Sequence, residues 1–471
     1  MKLKSLVGDR AFYKYVFSIA VPIIIQNVIT NFVNLLDNVM VGSLGTEAMS
    51  GVSIVNQFIF IFNLAVFGAL SGAGIFTAQY SGKGDVFGVR NTFRIKMIIL
   101  TLLGAVGIVV FLIFGEDFVK LFLHEGEGGD LALTLEYGKE YLKYILIGLI
   151  PYAISMSYAS TLRETGETFV PMVASITSVL VNFVLNGVLI FGLLGFPALG
   201  IVGAAVATSV SRFAELGVLV IWTHTHKERA PFIVGAYRSL KVPASLLRMV
   251  AAKGSPMLVN ELLWSLAVTM RNQCYSTRGL DAVAGLNIAV TVINVLSVCY
   301  MSIGTSIGII IGNTLGSGDM ARAKDENKKL LALTVSASVC IALIEVAISP
   351  LFPLIYNTTD AVRSLATYFM IVSAVFTPFN ALAFASYFTL RSGGNVLVTF
   401  IFDSVYSWVV VMPVALALAY LTPINIHLLY ILTVAVDALK CVMAIIFVSR
   451  GTWARQLSKQ NPNDPRVPSE S

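Results

Sequence analysis

The sequence predicts an all-α integral membrane protein, with twelve transmembrane helices in two parallel six-helix repeats around a central cleft. Three observations predict it. The 471 residues are 56% hydrophobic and only 12% charged, about half the charged fraction of a soluble chain. Apolar runs of the ~20 residues that a helix needs to cross a bilayer fill the chain nearly end to end. The second half repeats landmarks of the first at fixed spacing. Barrel strands would alternate polar and apolar residues, and these runs do not.

The elements follow in order. Span 1 (14–40) continues from a basic, amphipathic start, MKLKSLVGDRAFYKYVF, which has no small-residue cleavage site and is expected to be retained. Span 2 (50–78) enters through the turn GTEAMSG and leaves through SGKGD. Span 3 (92–115) ends in the acidic GEDFVKLFLHEGEGGD, and span 4 (136–160) runs up to LRETGE. Spans 5 (169–192) and 6 (199–222) flank GLLGFPAL. The polar, basic stretch 223–245 contains Pro231 and Pro243 and reads as a linker. Spans 7 (246–272), 8 (284–312), 9 (329–352), 10 (362–388), 11 (396–419) and 12 (424–448) follow, with LTPINIH between the last two. The expected organisation is therefore an N-terminal lobe over 1–222, the linker 223–245, a C-terminal lobe over 246–450 and a tail over 451–471.

A shift of 234 residues places Pro22 on Pro256, Gly45 on Gly279, Gly51 on Gly285, Gly74 on Gly308 and SGKGD on LGSGD. A shift of 228 places LRETGE on LRSGGN. Both halves begin on the same side, so the repeats are parallel, related by an axis along the membrane normal. Gly82, Gly84, Gly316 and Gly318 are expected to take positive φ in the turns. The small-residue runs GALSGAG and GTSIGIIIG are expected to let helices approach closely.

Basic residues mark one side: Lys83, Arg90, Arg94 and Lys96 after span 2, Lys227, Arg229, Arg238 and Lys241 after span 6, Arg322, Lys324 and Lys328 after span 8, and Arg450 and Arg455 in the tail. Lys and Arg concentrate in cytoplasmic loops, so both termini are expected in the cytoplasm and the chain in the plasma membrane. This bias accounts for the net charge of +6 without a nucleic-acid partner. The four cysteines lack CxxC spacing and read as free thiols. His224 and His226 read as part of a solvated loop. GTSIG (304–308) matches G-x-S-x-G, but it lies inside an apolar span with no mid-span histidine, so helix packing explains it better than a nucleophile elbow. An enzyme is therefore not expected. HExxH and Walker A motifs are absent, so no cofactor and no ATP are expected.

The ionisable residues inside spans are Asp37, Glu215, Glu261, Arg271, Glu345, Asp403, Asp437 and Lys440. Each costs about 3 kcal/mol at mid-bilayer, so each needs a cavity or a partner. Asn27, Asn31, Asn34 and Asn38 step by four, three and four along span 1 beside Asp37. Asn182 and Asn186 share a face of span 5. Opposing these faces gives a cavity in the N-terminal lobe; the alternative is interhelical amide bonding with Asp37 at an outer end. Glu261 and Asp403 fall on spans 7 and 11, the repeat mates of spans 1 and 5, and together with Tyr and Asn oxygens could hold Na⁺ or a shared proton. Two separately satisfied acids are the alternative. Asp437 and Lys440 read as an ion pair, Glu215 as the partner of Arg212, and Arg271 and Glu345 as pairing or snorkelling near the outer face. Phe62, Tyr158, Met257, Trp264 and Tyr300 are candidates for an aromatic and Met-lined substrate cleft.

The stretches NLLDNVMVGSLGTEAMSGVS, SGKGD, NFVLNGVLIFG and PMLVNELLWSLAVTM, in this order, resemble the multidrug and toxic compound extrusion (MATE) family over roughly residues 10–450. The resemblance implies a secondary antiporter that expels organic, often cationic or amphipathic compounds in exchange for Na⁺ or H⁺ by alternating access. It implies coupling through Asp37, with Asn182 in the family's span-5 asparagine position and Asn186 where many members carry aspartate. Glu261 is similar to the span-7 glutamate of the cation-coupled branch. The implied partners are small molecules and the bilayer, with the chain acting as a monomer. A lipid-linked saccharide flippase is the nearest rival, disfavoured because the intramembrane charges are mainly acidic. A membrane-embedded enzyme and a channel are more distant rivals.

Overall fold

The computed structural model describes residues 6–123 and 130–459. Its described residues are helices and turns. In chain order the helices are α1 (Arg10–Gly42), α2 (Thr46–Lys83), α3 (Val86–Leu121), α4 (Leu131–Ile145), α5 (Leu149–Glu164), α6 (Phe169–Phe191), α7 (Gly200–Thr225) and α8 (Ala244–Ser276). Then come α9 (Leu280–Gly316), α10 (Met320–Ile348), α11 (Asp360–Ser392), α12 (Val396–Phe400), α13 (Met412–Tyr420), α14 (Ile426–Ala438) and α15 (Lys440–Ser449). Taking α4 with α5, α12 with α13 and α14 with α15, eleven helices are long and apolar enough to cross a membrane. The twelfth span is α8. Its 33 residues reach about 50 Å, but Lys253, Glu261 and Arg271 make it the most polar of the set. The fold is thus the expected all-α membrane architecture of twelve spans.

Three spans are less regular than their apolar runs suggest. Span 4 passes through a 3₁₀ turn at Leu146–Gly148, next to Pro151, whose missing N–H frees a carbonyl one turn back. Span 11 holds two π turns, Ile401–Val405 and Ser407–Val411, and resumes as α13 just before Pro413. Span 12 breaks at Leu439.

The duplication is written in backbone geometry. Gly45 and Gly279 both take positive φ, 120° and 103°, as do Gly84 and Gly318, 75° and 91°, and Gly166 and Gly394, 92° and 71°. Asp85 and Asp319 each cap the next helix, accepting from the Gly88 and Arg322 N–H groups at 2.9 Å. Gly82 and Gly316 depart from the expectation of positive φ: both are helical, and they are glycines for lack of space. A Cβ on Gly82 would stand 1.8 Å from the Asn313 carbonyl oxygen, and one on Gly316 would stand 2.0 Å from that of Gln79. Residues 79 and 82 are the repeat mates of 313 and 316, so the contact is its own mirror under the repeat.

The chain divides into two compact units. The N-terminal unit gathers Ile25–Thr77 and Asp85–Gly254; the C-terminal unit gathers α1 as far as Ile24, Ala78–Gly84 and the described residues from Ser255 on. Helices α1 and α8 therefore each contribute to both units, and each changes unit within three residues of a repeat-matched proline, Pro22 or Pro256. The core of the N-terminal unit is built from Val52, Val55, Phe62, Val66, Leu142, Leu149 and neighbours. That of the C-terminal unit centres on Leu286, Phe369, Met370, Leu429 and Tyr430. The predicted linker is packed within the N-terminal unit: Phe232, Ile233 and Ala236 are buried. Arg90 and Arg94, read from sequence as loop charges, lie inside α3. Arg90 donates to the Phe232 carbonyl at 3.1 Å, and Arg94 to those of Gly235 and Ala236 at 2.8 Å.

A candidate cation site in each unit

In the N-terminal unit, α1 and α6 bring three of the predicted residues together. The Asn186 amide donates to Asp37 Oδ1 at 2.5 Å. Asn182 satisfies both its ends when its amide nitrogen faces Asp37, at 2.9 and 3.1 Å from the two carboxylate oxygens, with its own oxygen accepting from Thr208 on α7 at 3.1 Å. Asp37 has no ion-pair partner among the described residues; Arg212, the nearest candidate, pairs with Glu215 at 3.2 Å as expected. The Asn186 Oδ1 is buried and receives no donor. The amides meet Asp37 through their N–H groups, so the oxygens left for a proton or a small monovalent cation are those of the carboxylate and the spare Asn186 Oδ1.

The expected asparagine stripe is not what faces α6. Thr30 does so one register below Asp37, its hydroxyl 3.4 Å from that of Ser175. Asn34 lies about 60° round the helix from Asp37 and is exposed, and Asn31 bonds back to the Asn27 carbonyl at 2.9 Å. The sequence shows a polar stripe at positions 27, 31, 34 and 38, but the polar edge that meets α6 is the Thr30–Asp37 one.

In the C-terminal unit, Glu261 on α8 accepts from the Tyr387 hydroxyl of α11 at 2.8 Å and has no ion-pair partner among the described residues. Asp403 is held differently. Asn260 donates to its Oδ2 at 3.0 Å, and the Lys440 ammonium stands 3.9 Å from Oδ1. Lys440 is itself 3.2 Å from Asp437, which Arg271 meets at 2.9 Å. This Arg–Asp–Lys–Asp chain alternates in sign, so its charges offset one another where few waters reach. The π turns of span 11 serve it. They carry Asp403, Ser404 and Trp408 onto α8, where Ser404 donates to Asn260 Oδ1 at 2.7 Å and Trp408 Nε1 to the Leu263 carbonyl at 3.0 Å. Among the described residues Glu261 and Asp403 thus have different hydrogen-bond partners, while remaining within electrostatic range of each other.

The cleft candidates fall into two groups. Phe62 and Met257 are buried, and Tyr158 is committed to the linker: its hydroxyl bonds that of Tyr237, and its ring meets Phe93 edge-on at 5.0 Å. Trp264 and Tyr300 remain half-buried, Tyr300 against Phe384 at 6.4 Å. His224 is part of this linker cluster, stacked on Tyr237 at 5.9 Å. The GTSIG serine is helical and donates to the Ser302 carbonyl at 2.8 Å, while Gly304 and Gly308 seat Phe384 and Phe388. One buried pair escaped the sequence reading. Lys96, 1% exposed, pairs with Glu164 and donates to Ser160 and Thr161 at 3.0 and 3.2 Å. A lysine near an apparent loop carries no periodic signal of that burial.

The model of the MatE family matches residues 22–188 and again 256–420, once in each repeat. The chain belongs to the MatE family. Among similar proteins, a probable multidrug resistance protein NorM of Thermotoga maritima is 24% identical over 94% of this chain and 93% of its own length. The probable multidrug resistance protein YoeA of Bacillus subtilis is 26% identical over 86% and 87%. Among solved structures, the Vibrio cholerae MATE transporter VcmN in its bent form superposes with a TM-score of 0.83 at 14% identity, covering 95% of this chain and 98% of that one. An outward-facing MATE transporter of the MOP superfamily gives 0.83 at 18%, covering 96% and 99%. These structures agree on the fold, and this MatE chain is accordingly a multi-pass membrane protein.

Proposed function

We propose that this MatE protein is a secondary antiporter that exports organic, cationic or amphipathic compounds in exchange for H⁺ or Na⁺ by alternating access. The observation that carries the reading is the state of Asp37: an acid inside a membrane span, ringed by Asn182 and Asn186, without an ion-pair partner among the described residues and beside the unsatisfied oxygen of Asn186. Such a carboxylate is the place where a cation is gained and lost. Glu261, which accepts from the neutral Tyr387 hydroxyl and has no ion-pair partner among the described residues, is the second candidate. Asp403 and Asp437 already have Lys440 and Arg271, so their role is to fix span 12 against α8.

A bound cation shifts the equilibrium between open states only by its differential affinity for them. Net entry of one charge per cycle, as when the exported compound is neutral or two cations enter for one that leaves, supplies about 2.3 kcal/mol at about 100 mV, which sustains a roughly fifty-fold gradient of exported compound. The basic bias of the loops supports cytoplasmic termini. Trp264 and Tyr300 offer rings to an amphipathic ligand.

The test is efflux of a fluorescent organic cation from proteoliposomes under an imposed H⁺ or Na⁺ gradient. Asp37→Asn is expected to cut gradient-driven efflux at least tenfold, with dye binding retained. Glu261→Gln is expected to lower it as well. Efflux that ignores both gradients, or an Asp37→Asn variant that matches the parent, overturns the reading.

A further inference from the structure

Glu345 is an acid that the exchange chemistry above leaves unused. It lies in α10 and is 1% exposed. It has no ion-pair partner among the described residues, and its Oε1 is buried without a hydrogen-bond partner. Its Oε2 stands 3.3 Å from the Thr377 hydroxyl of α11. That hydroxyl has a single proton, and the Ser373 carbonyl lies closer to it, at 3.0 Å. The Thr377 proton reaches either the Ser373 carbonyl or Glu345 Oε2, and when it sits on the nearer Ser373 carbonyl the Thr377 oxygen is free to accept from a protonated Glu345. The groups that face Glu345 are all neutral: the Ser373 and Thr377 hydroxyls of α11, and the phenols of Tyr300 on α9 and Tyr430 on α14 within electrostatic range. A carboxylate here would be a buried charge met by hydroxyls and by no cation among the described residues, which costs several kcal/mol. The next residue along α11 is Pro378, which has no N–H for the Ala374 carbonyl and leaves the helix bendable at that point.

We propose that Glu345 is a proton-binding site of the C-terminal unit, donating its proton to Thr377 Oγ1 and exchanging it with water as α11 bends at Pro378. On release the carboxyl O–H bond breaks and the proton passes to water. The Thr377 hydroxyl then turns from the Ser373 carbonyl to donate to the new carboxylate. That turn removes a side-chain bond to the helix's own backbone one residue from the proline, which is how the proton reaches the shape of α11. The part this exchange plays in transport rests on the antiport reading; the presence of the proton does not.

Infrared difference spectroscopy on the full chain in lipid tests the proton directly. The carboxylic-acid C=O band of the parent at neutral pH is expected to lose one component in Glu345→Gln, and in Thr377→Val that component shifts as its hydrogen bond is lost. Identical acid bands in the parent and Glu345→Gln overturn the proposal, and so does a component that Na⁺ removes at constant pH. In vesicles, Glu345→Gln is expected to fold, bind dye and flatten the pH profile of efflux at least tenfold at its steepest point. If the parent shows no gradient-driven efflux, the antiport reading fails while the band still decides Glu345. If the parent is driven and Glu345→Gln keeps the same profile, the exchange role fails.

Discussion

At the scale of single residues, the contrast among the intramembrane acids carries the chemistry. Asp37 and Glu261 are held by uncharged donors, whereas Asp403 and Asp437 share Lys440. Removing one member of a buried ion pair costs more than the pair contributes, because the partner's charge is stranded. Lys440→Met is therefore expected to destabilise the protein by about 3 kcal/mol, read as a lower thermal midpoint in detergent. Lys440→Met combined with Asp403→Asn should recover part of that loss, since one stranded charge is gone. A double variant no better than the single one would mean that Lys440 acts through Asp437 alone.

At the scale of elements, glycines at the helix ends separate two physical requirements. Gly84 has a φ of 75°, and a Cβ placed on it would have nothing within 4 Å, so Gly84→Ala meets only backbone strain, about 1–2 kcal/mol. Gly82 and Gly316 are helical but lie against backbone carbonyls, which cannot move aside as a side chain can. Gly316→Ala is expected to cost more than about 3 kcal/mol, beyond ordinary overpacking, and to sharply reduce the yield of folded protein. Thermal midpoints of the two variants rank them, and equal midpoints would refute the close crossing. The end of the described chain acts at the same place. Gln79 is buried and donates to the Ser392 and Arg455 carbonyls at 3.0 and 3.1 Å, and it accepts from the Leu457 N–H at 2.6 Å. Trp453, 1% exposed, closes against Gly393. Trp453→Ala should therefore lower the midpoint as a core truncation does, by about 3–5 kcal/mol in stability, although sequence position alone marks it as a tail residue.

At the scale of the whole molecule, each repeat is followed by a basic segment that folds back onto its own unit. The linker does so through Arg90 and Arg94, and the segment after α15 through Gln79, Gln456 and Lys83. The two segments are thus structural parts of the units they follow. Arg94→Ala removes the donor to three linker carbonyls, those of Gly235, Ala236 and Lys241, and is expected to expose the basic linker to trypsin. Cleavage between residues 226 and 241 should be at least several-fold faster than in the parent. An unchanged rate would show that the Phe232 and Tyr237 packing suffices without the guanidinium.

The sequence by itself determined the class of the molecule. Bilayer length, the scarcity of charge and the repeat of Pro22, Gly45, Gly84 and Gly166 are local or periodic properties, and they forced twelve spans in two copies. It also brought Asp37, Asn182 and Asn186 to attention, because a polar group in an apolar run has to be explained. Only the tertiary structure decided which groups meet. Helical rotation chose the Thr30–Asp37 edge over the asparagine stripe, and π turns in span 11 aimed Asp403 at Asn260 and Lys440 instead of at Glu261. The same distant packing buried Lys96 with Glu164 and left Glu345 without an ion-pair partner among the described residues. Partners such as Tyr387 and Glu261 stand 126 residues apart in the chain, and no periodicity encodes a contact at that separation.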